Sequence, residues 1–160
     1  MTDINTKPSR ENLQKLVDYF NDRKFNEVAT LGEQILKDFP NDPFVMNMLG
    51  LANFNIGKKT DALNWLKKAY EITPGNLETA SNLALILHSE GKYAEAIPIF
   101  ETIIRTKSDV PEILFNYAIA LEKAGFLDKA ESTYEKIIKL REDFGPAHYN
   151  AGLLMQRKGN

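Results

Sequence analysis

The stretch LHSEGKYAEA, residues 87–96, holds a lone glycine between two segments that suit helix, and the chain contains two gapless counterparts of it. NFNIGKKTDA at 53–62 and LEKAGFLDKA at 121–130 align with it, so that Gly57, Gly91 and Gly125 stand 34 residues apart. Ala62, Ala96 and Ala130 keep the same spacing, and Gly159 falls one period further on. A fixed period of this length marks a repeat architecture, in which each unit buries its apolar face only against its neighbours.

A 34-residue unit sets repeats at 9–42, 43–76, 77–110 and 111–144, an incomplete fifth at 145–160, and an N-terminal arm at 1–8. Helical spacing recurs in the first half of each unit, as Met46, Leu49, Gly50 and Asn53, as Ala80, Leu83, Ala84 and Leu87, and as Leu114, Tyr117, Ala118 and Leu121. A second helix follows, carrying Ala62, Leu66 and Ala69, then Ala96, Phe100 and Ile103, then Ala130, Tyr134 and Ile137. Gly50, Ala84, Ala118 and Gly152 share one repeat position, where only a small side chain lets the two helices approach. The repeated glycine ends the first helix, because a residue there often needs positive φ, which glycine adopts without steric cost. Lys58 and Lys92 follow it, with a favourable charge beside a helix C-terminus. Prolines punctuate the unit boundaries as Pro40, Pro43, Pro74, Pro111 and Pro146. Pro98 alone falls in a second helix, where it is expected among the unpaired donors of the first turn. The pattern predicts nine helices, no strand, and turns near Arg23, Gly57, Gly91 and Gly125.

These residues resemble the tetratricopeptide repeat family, most closely in the second unit, where Leu49, Gly50, Gly57, Ala62, Ala69 and Pro74 are all in register. The first unit departs from the pattern, with Arg23 in place of the glycine, Val28 of the alanine and Gly32 of the aromatic residue, as an atypical end repeat does. The third and fourth units lack the final proline. The resemblance implies an all-α fold, a right-handed superhelix (α-solenoid) of helix-turn-helix repeats, with the first helices lining a concave face.

Composition narrows the function. The 160 residues are 43% hydrophobic and 26% charged, the balance of a soluble globular chain. A net charge of -2, with basic residues scattered, argues against nucleic acid as a partner. Cysteine is absent, which removes disulfides and thiol chemistry and fits a reducing, cytoplasmic setting. The start MTDINTKPSREN lacks a signal-peptide core, and no stretch approaches the roughly 18 apolar residues of a membrane span. No membrane partner is expected.

At about 100° per residue, repeat positions 2, 5, 9, 12 and 13 share the face turned away from the second helix. Position 9 reads Val17, Leu51, Leu85, Ile119 and Leu153, and Phe44, Phe54, Phe115 and Tyr149 lie beside that row. Two readings stand: the row tightens the superhelix, or it is a docking strip for a peptide. Asn82, Asn116 and Asn150 recur at position 6, with Asn47 one place early and Gln14 in the first unit. An amide both donates and accepts, so such a column suits the backbone of an extended peptide. The pattern is similar to the asparagine ladder of O-linked N-acetylglucosamine transferases; hydrogen bonding between helices is the alternative. The candidate peptide-binding residues are therefore Asn47, Leu51, Phe54, Asn82, Leu85, Phe115, Asn116, Ile119, Tyr149 and Asn150. The carboxylate clamp of chaperone-binding family members is not matched: its cationic positions fall on Leu13, Glu78 and Asn82 in one register, and on Asn47, Glu112 and Asn116 in the next.

Neither catalysis nor a cofactor or metal has support in the residues. His88 falls at a groove position and His148 at a packing position, and neither has a ligand partner on one helix face. No phosphate loop or nucleophile motif is present. The preferred expectation is a non-catalytic scaffold whose concave groove binds an extended or amphipathic peptide. The alternative is the N-terminal repeat region of a larger glycosyltransferase, sulfotransferase or methyltransferase that presents substrate to it. The chain stops at LLMQRKGN, where a second helix would begin, leaving Tyr149, Leu153, Leu154 and Met155 as an apolar stripe. The expectation is a fragment of a longer array whose stripe, in isolation, is covered by another copy, as in a symmetric homo-oligomer paired through the terminal helix.

Overall fold

The computed structural model describes residues 7–159. Of the N-terminal arm expected at 1–8, all but Lys7 and Pro8 lie outside the described residues. Nine helices and no strand are found among those described: α1 (Arg10–Asn21), α2 (Phe25–Asp38), α3 (Pro43–Asn55), α4 (Lys59–Ile72), α5 (Leu77–Ser89), α6 (Tyr93–Thr106), α7 (Pro111–Lys123), α8 (Leu127–Leu140) and α9 (Gly145–Lys158).

The turn inside each pair is the same chemical device. Gly57, Gly91 and Gly125 have φ of 82°, 71° and 88°, and Arg23 takes the same left-handed conformation at 59°. This rotation lets the next residue's N–H reach back five positions: Lys24 to the carbonyl of Tyr19, Lys58 to Asn53, Lys92 to Leu87 and Phe126 to Leu121, each at 2.8 Å. Carbonyls that the ending helix would leave orphaned are thereby paired. Arginine does this in the first turn at a steric cost that glycine avoids.

Between pairs, helix starts are set by caps. Ser9 Oγ accepts from the Asn12 N–H, Asp42 Oδ1 from Val45 N–H and Asn76 Oδ1 from Thr79 N–H. Pro43 and Pro111 open α3 and α7, where a missing N–H costs nothing. Pro98 differs from expectation. It is the sixth residue of α6, past the unpaired donors, so the carbonyl of Ala94 loses its helical donor.

The described residues fall into two compact units divided within α5, between Leu83 and Ala84. In the first, Leu16, Val28, Ile35, Leu36, Val45, Met46, Leu49 and Ala69 form the core. A Cβ placed on Gly50 would lie 2.5 Å from Leu66 Cγ and 3.2 Å from the Ala62 carbonyl, so α3 and α4 meet too closely even for a methyl group. The atypical opening repeat reverses this size pairing. Leu16 stands where Gly50 does one period later, Gly32 where Leu66 does, and both are buried. The space at Gly32 is taken by Leu49, whose Cγ would be 2.8 Å from an added Cβ. In the second unit the core is Leu114, Ala118, Leu121, Ala130, Tyr134, Ile137, Ala147, Ala151 and Leu154.

Candidate functional site

In the first unit the outward face of α3 presents Phe44, 41% exposed, and the half-buried Leu51 and Phe54. Asn47 does not share their exposure. It is 3% exposed, and its Oδ1 accepts from Asn82 Nδ2 at 3.1 Å. That bond ties α3 to α5 and uses one of the hydrogens of Asn82, whose remaining amide valences stay available. Phe44 also lines an open cavity of about 190 Å³ with Arg10, Leu13, Gln14 and Val17 of α1.

In the second unit Leu85 is 45% exposed, Tyr149 69% and Leu153 41%. Phe115 and Ile119 are half-buried. The Phe115 ring sits edge-on to Phe144 at 5.3 Å and 6.1 Å from Tyr134, so it is braced from behind while part of it faces outward. Asn150 Nδ2 lies 3.5 Å from the Tyr134 hydroxyl, which donates to Glu122 Oε2 at 3.2 Å. Burial pushes the Tyr134 hydroxyl well above the usual tyrosine range, keeping it a donor. Glu122 in turn pairs with Arg157, and Lys158 pairs with Asp128 at 2.8 Å and with Glu131, so polar contacts fasten the last turn of α9. Asn116 is half-buried, and its side-chain amide makes no hydrogen bond among the described residues.

Three positions differ from their sequence placement. His88 is turned from the groove toward α6, its ring edge-on to Tyr93 at 5.4 Å and Phe100 at 6.4 Å. Its Nε2 is buried without a partner, and desolvation lowers its affinity for a proton. His148 is exposed, not packed, and its Nε2 meets the Glu142 carbonyl at 2.8 Å. Leu154, grouped with the bare stripe of α9, is fully buried, whereas Tyr149, Leu153 and Met155 are exposed. No cluster of three or more metal-ligating side chains occurs among the described residues, and no described helix is long and apolar enough to cross a membrane.

The cavity beside Arg10 was missed by sequence reasoning. Val17, Phe44 and Gln14 were each visible on the outward face, but the shape of the cavity depends on how closely α1 and α3 pack. The signal available was Arg10 itself: it is the single charged residue at positions 2, 5, 6, 9, 12 and 13 of α1 and α3.

Comparison with known proteins adds the following. Two family models, each described as tetratricopeptide repeat, match residues 18–76 and 87–151. A BBSome complex member BBS4 homolog of Drosophila melanogaster is 27% identical over 111 residues, covering 69% of this chain but 23% of that protein. This chain thus spans about a quarter of that relative. Among solved structures, YrrB, described as a TPR protein with an unusual peptide-binding site, superposes with a TM-score of 0.89 at 17% identity, over 98% of this chain and 80% of that one. MamA from Desulfovibrio magneticus RS-1 gives 0.84 at 17% identity, over 94% and 85%. MamA of MSR-1 gives 0.82 at 21% identity, over 92% and 85%. These likenesses show the fold, an all-α solenoid of helix pairs.

Proposed function

This chain belongs to the tetratricopeptide repeat family, and on that premise we propose that it is a non-catalytic protein-interaction scaffold. Its first-helix faces, the concave side of such arrays, take an extended or amphipathic peptide from a partner protein. The observation that carries this is apolar area left in water beside an uncommitted amide: Leu85, Tyr149 and Leu153 are exposed in the unit that contains Asn116. Apolar side chains supply affinity, and the amide holds peptide backbone without reading its sequence. In the first unit Phe44, Leu51, Phe54 and Asn82 play the corresponding parts. Two relatives support the reading in their own descriptions, YrrB by a peptide-binding site and the BBS4 homolog by membership of a complex. A cytoplasmic setting belongs to the same reading and rests on the cysteine-free composition.

The test is a peptide selected from a random display library and titrated against the whole chain. Asn116→Ala and Leu85→Asp should each weaken it while the helical circular dichroism is kept. Equal affinity for both variants would refute the reading. Self-association through α9 is a separate part of the proposal, resting on exposed Tyr149, Leu153 and Met155. Sedimentation equilibrium should then show a concentration-dependent dimer that Leu153→Asp abolishes; a monomer at every concentration would count against it.

A further inference from the structure

The cavity of about 190 Å³ between α1 and α3 is smaller than the roughly 300 Å³ at which small-molecule sites begin, and suits a single side chain. Half-buried Leu13 and Val17 and the exposed ring of Phe44 give it apolar walls. Its lip is polar. Gln14 gives Nε2 to Asp18 Oδ1 at 2.9 Å, which fixes the amide and leaves Oε1 to accept a hydrogen bond. Arg10 is exposed and has no ion pair among the described residues.

Arg10 carries the single charge among the residues that line this cavity, and the Asp18 carboxylate beside its lip is engaged by Gln14 Nε2. Arg10 is the first residue of α1, so its guanidinium adds to the positive end of that helix. The nearest carboxylate on α3, Asp42, is engaged in capping Val45. No other charged residue occupies the outward positions of α1 or α3, whereas Glu78 takes the position of Arg10 on α5. An anion is therefore favoured beside α1 and disfavoured beside α5.

We propose that this cavity is a specificity subsite for a partner peptide: it takes a large aliphatic or aromatic side chain, while an Asp or Glu adjacent or next but one to it pairs with Arg10. The proposal rests on the reading of the first-helix faces as peptide-binding. The Gln14 carbonyl oxygen accepts a peptide N–H between the two, setting their spacing. Such a lip charge discriminates among partners more than it adds raw affinity.

Random displayed peptides panned on the whole chain provide the test, with Arg10→Glu panned in parallel. Glutamate at a first helical position suits the helix dipole, so the variant keeps its fold. Peptides chosen by the natural chain should share an apolar residue with a neighbouring acid, and those chosen by the variant a neighbouring Lys or Arg. Changing that acid to Lys in a synthetic winner should cost about fivefold in affinity for the natural chain and reverse in sign for Arg10→Glu, in line with one exposed ion pair. Phe44→Ser should weaken the peptide and be indifferent once its apolar residue is replaced by Ser. Peptides that are lost on Phe54→Asp yet show no acidic preference, or one that Arg10→Glu leaves intact, would overturn the subsite while sparing the peptide-binding reading. Failure to select any peptide, or binding that ignores Phe54→Asp as well as Leu85→Asp and Asn116→Ala, would overturn that reading and the subsite with it.

Discussion

Asn82 donates from Nδ2 to Oδ1 of Asn47 across 3.1 Å, and the acceptor is buried while the donor is half-exposed. One asparagine thus holds the other in a fixed orientation. The same repeat position on α7, Asn116, has no such bond among the described residues. Two residues of equal type and register therefore differ in what their loss should do.

Asn82→Ala should lower stability, because a buried amide oxygen loses its donor, by about 0.5 to 1.5 kcal/mol as for a typical hydrogen bond. Asn116→Ala should leave the urea midpoint unchanged and act on peptide affinity alone. Equal midpoints for the two variants would mean that the Asn47 contact contributes nothing to stability.

Gly50 and Gly152 share a repeat position but not an environment. A methyl group on Gly50 would collide with Leu66, whereas at Gly152 a Cβ meets nothing within 4 Å. Gly50→Ala should cost about 1 to 3 kcal/mol, as overpacking does. Gly152→Ala, at an exposed interior position of α9, should stabilise by roughly 0.5 to 1 kcal/mol through helix propensity. Thermal melts of the two variants, shifting in opposite directions, check the pair.

Arg23 carries the strained member of the four turns, at φ 59°. Arg23→Gly removes a left-handed penalty of about 1 to 2 kcal/mol and adds back part of it as unfolded-chain entropy. A small net rise in the melting midpoint is expected. Gly91→Ala, the converse change at φ 71°, should lower it.

Features decided by local rules were legible in the sequence. Gly57, Gly91 and Gly125 announce left-handed turns by residue type, and Arg23 was found only through its register with them. Gly32 stood out in the sequence as a departure from the pattern, but its exchange of size with Leu16 against Gly50 and Leu66 emerged only from the packing. Positions at the edge of a helix face were not legible. Asn47 and Phe44 are less than one turn apart, yet the first is buried and the second exposed, because three steps of about 100° leave Asn47 about 60° round the helix from Phe44, on the side where Asn82 covers it. His88 stands at the same edge, and the rings of Tyr93 and Phe100 settle which way it turns.

That orientation gives the protein a predictable acid response. Burial lowers the His88 pKa from its ordinary 6.5, since the cation would be desolvated with Nε2 unpartnered. The unfolded chain then takes up a proton before the folded one does. Stability from this group is therefore complete above pH 6.5, falls as pH drops below 6.5, and levels off once the folded pKa has been passed. Carboxylates, with ordinary values of 3.8 and 4.5, contribute at lower pH. His88→Phe should pack between Tyr93 and Phe100 and flatten the unfolding free energy between pH 7 and 5, a window set by the direction of that shift. Urea titrations at several pH values make the comparison, and a slope that survives His88→Phe would show that the buried imidazole is not its source.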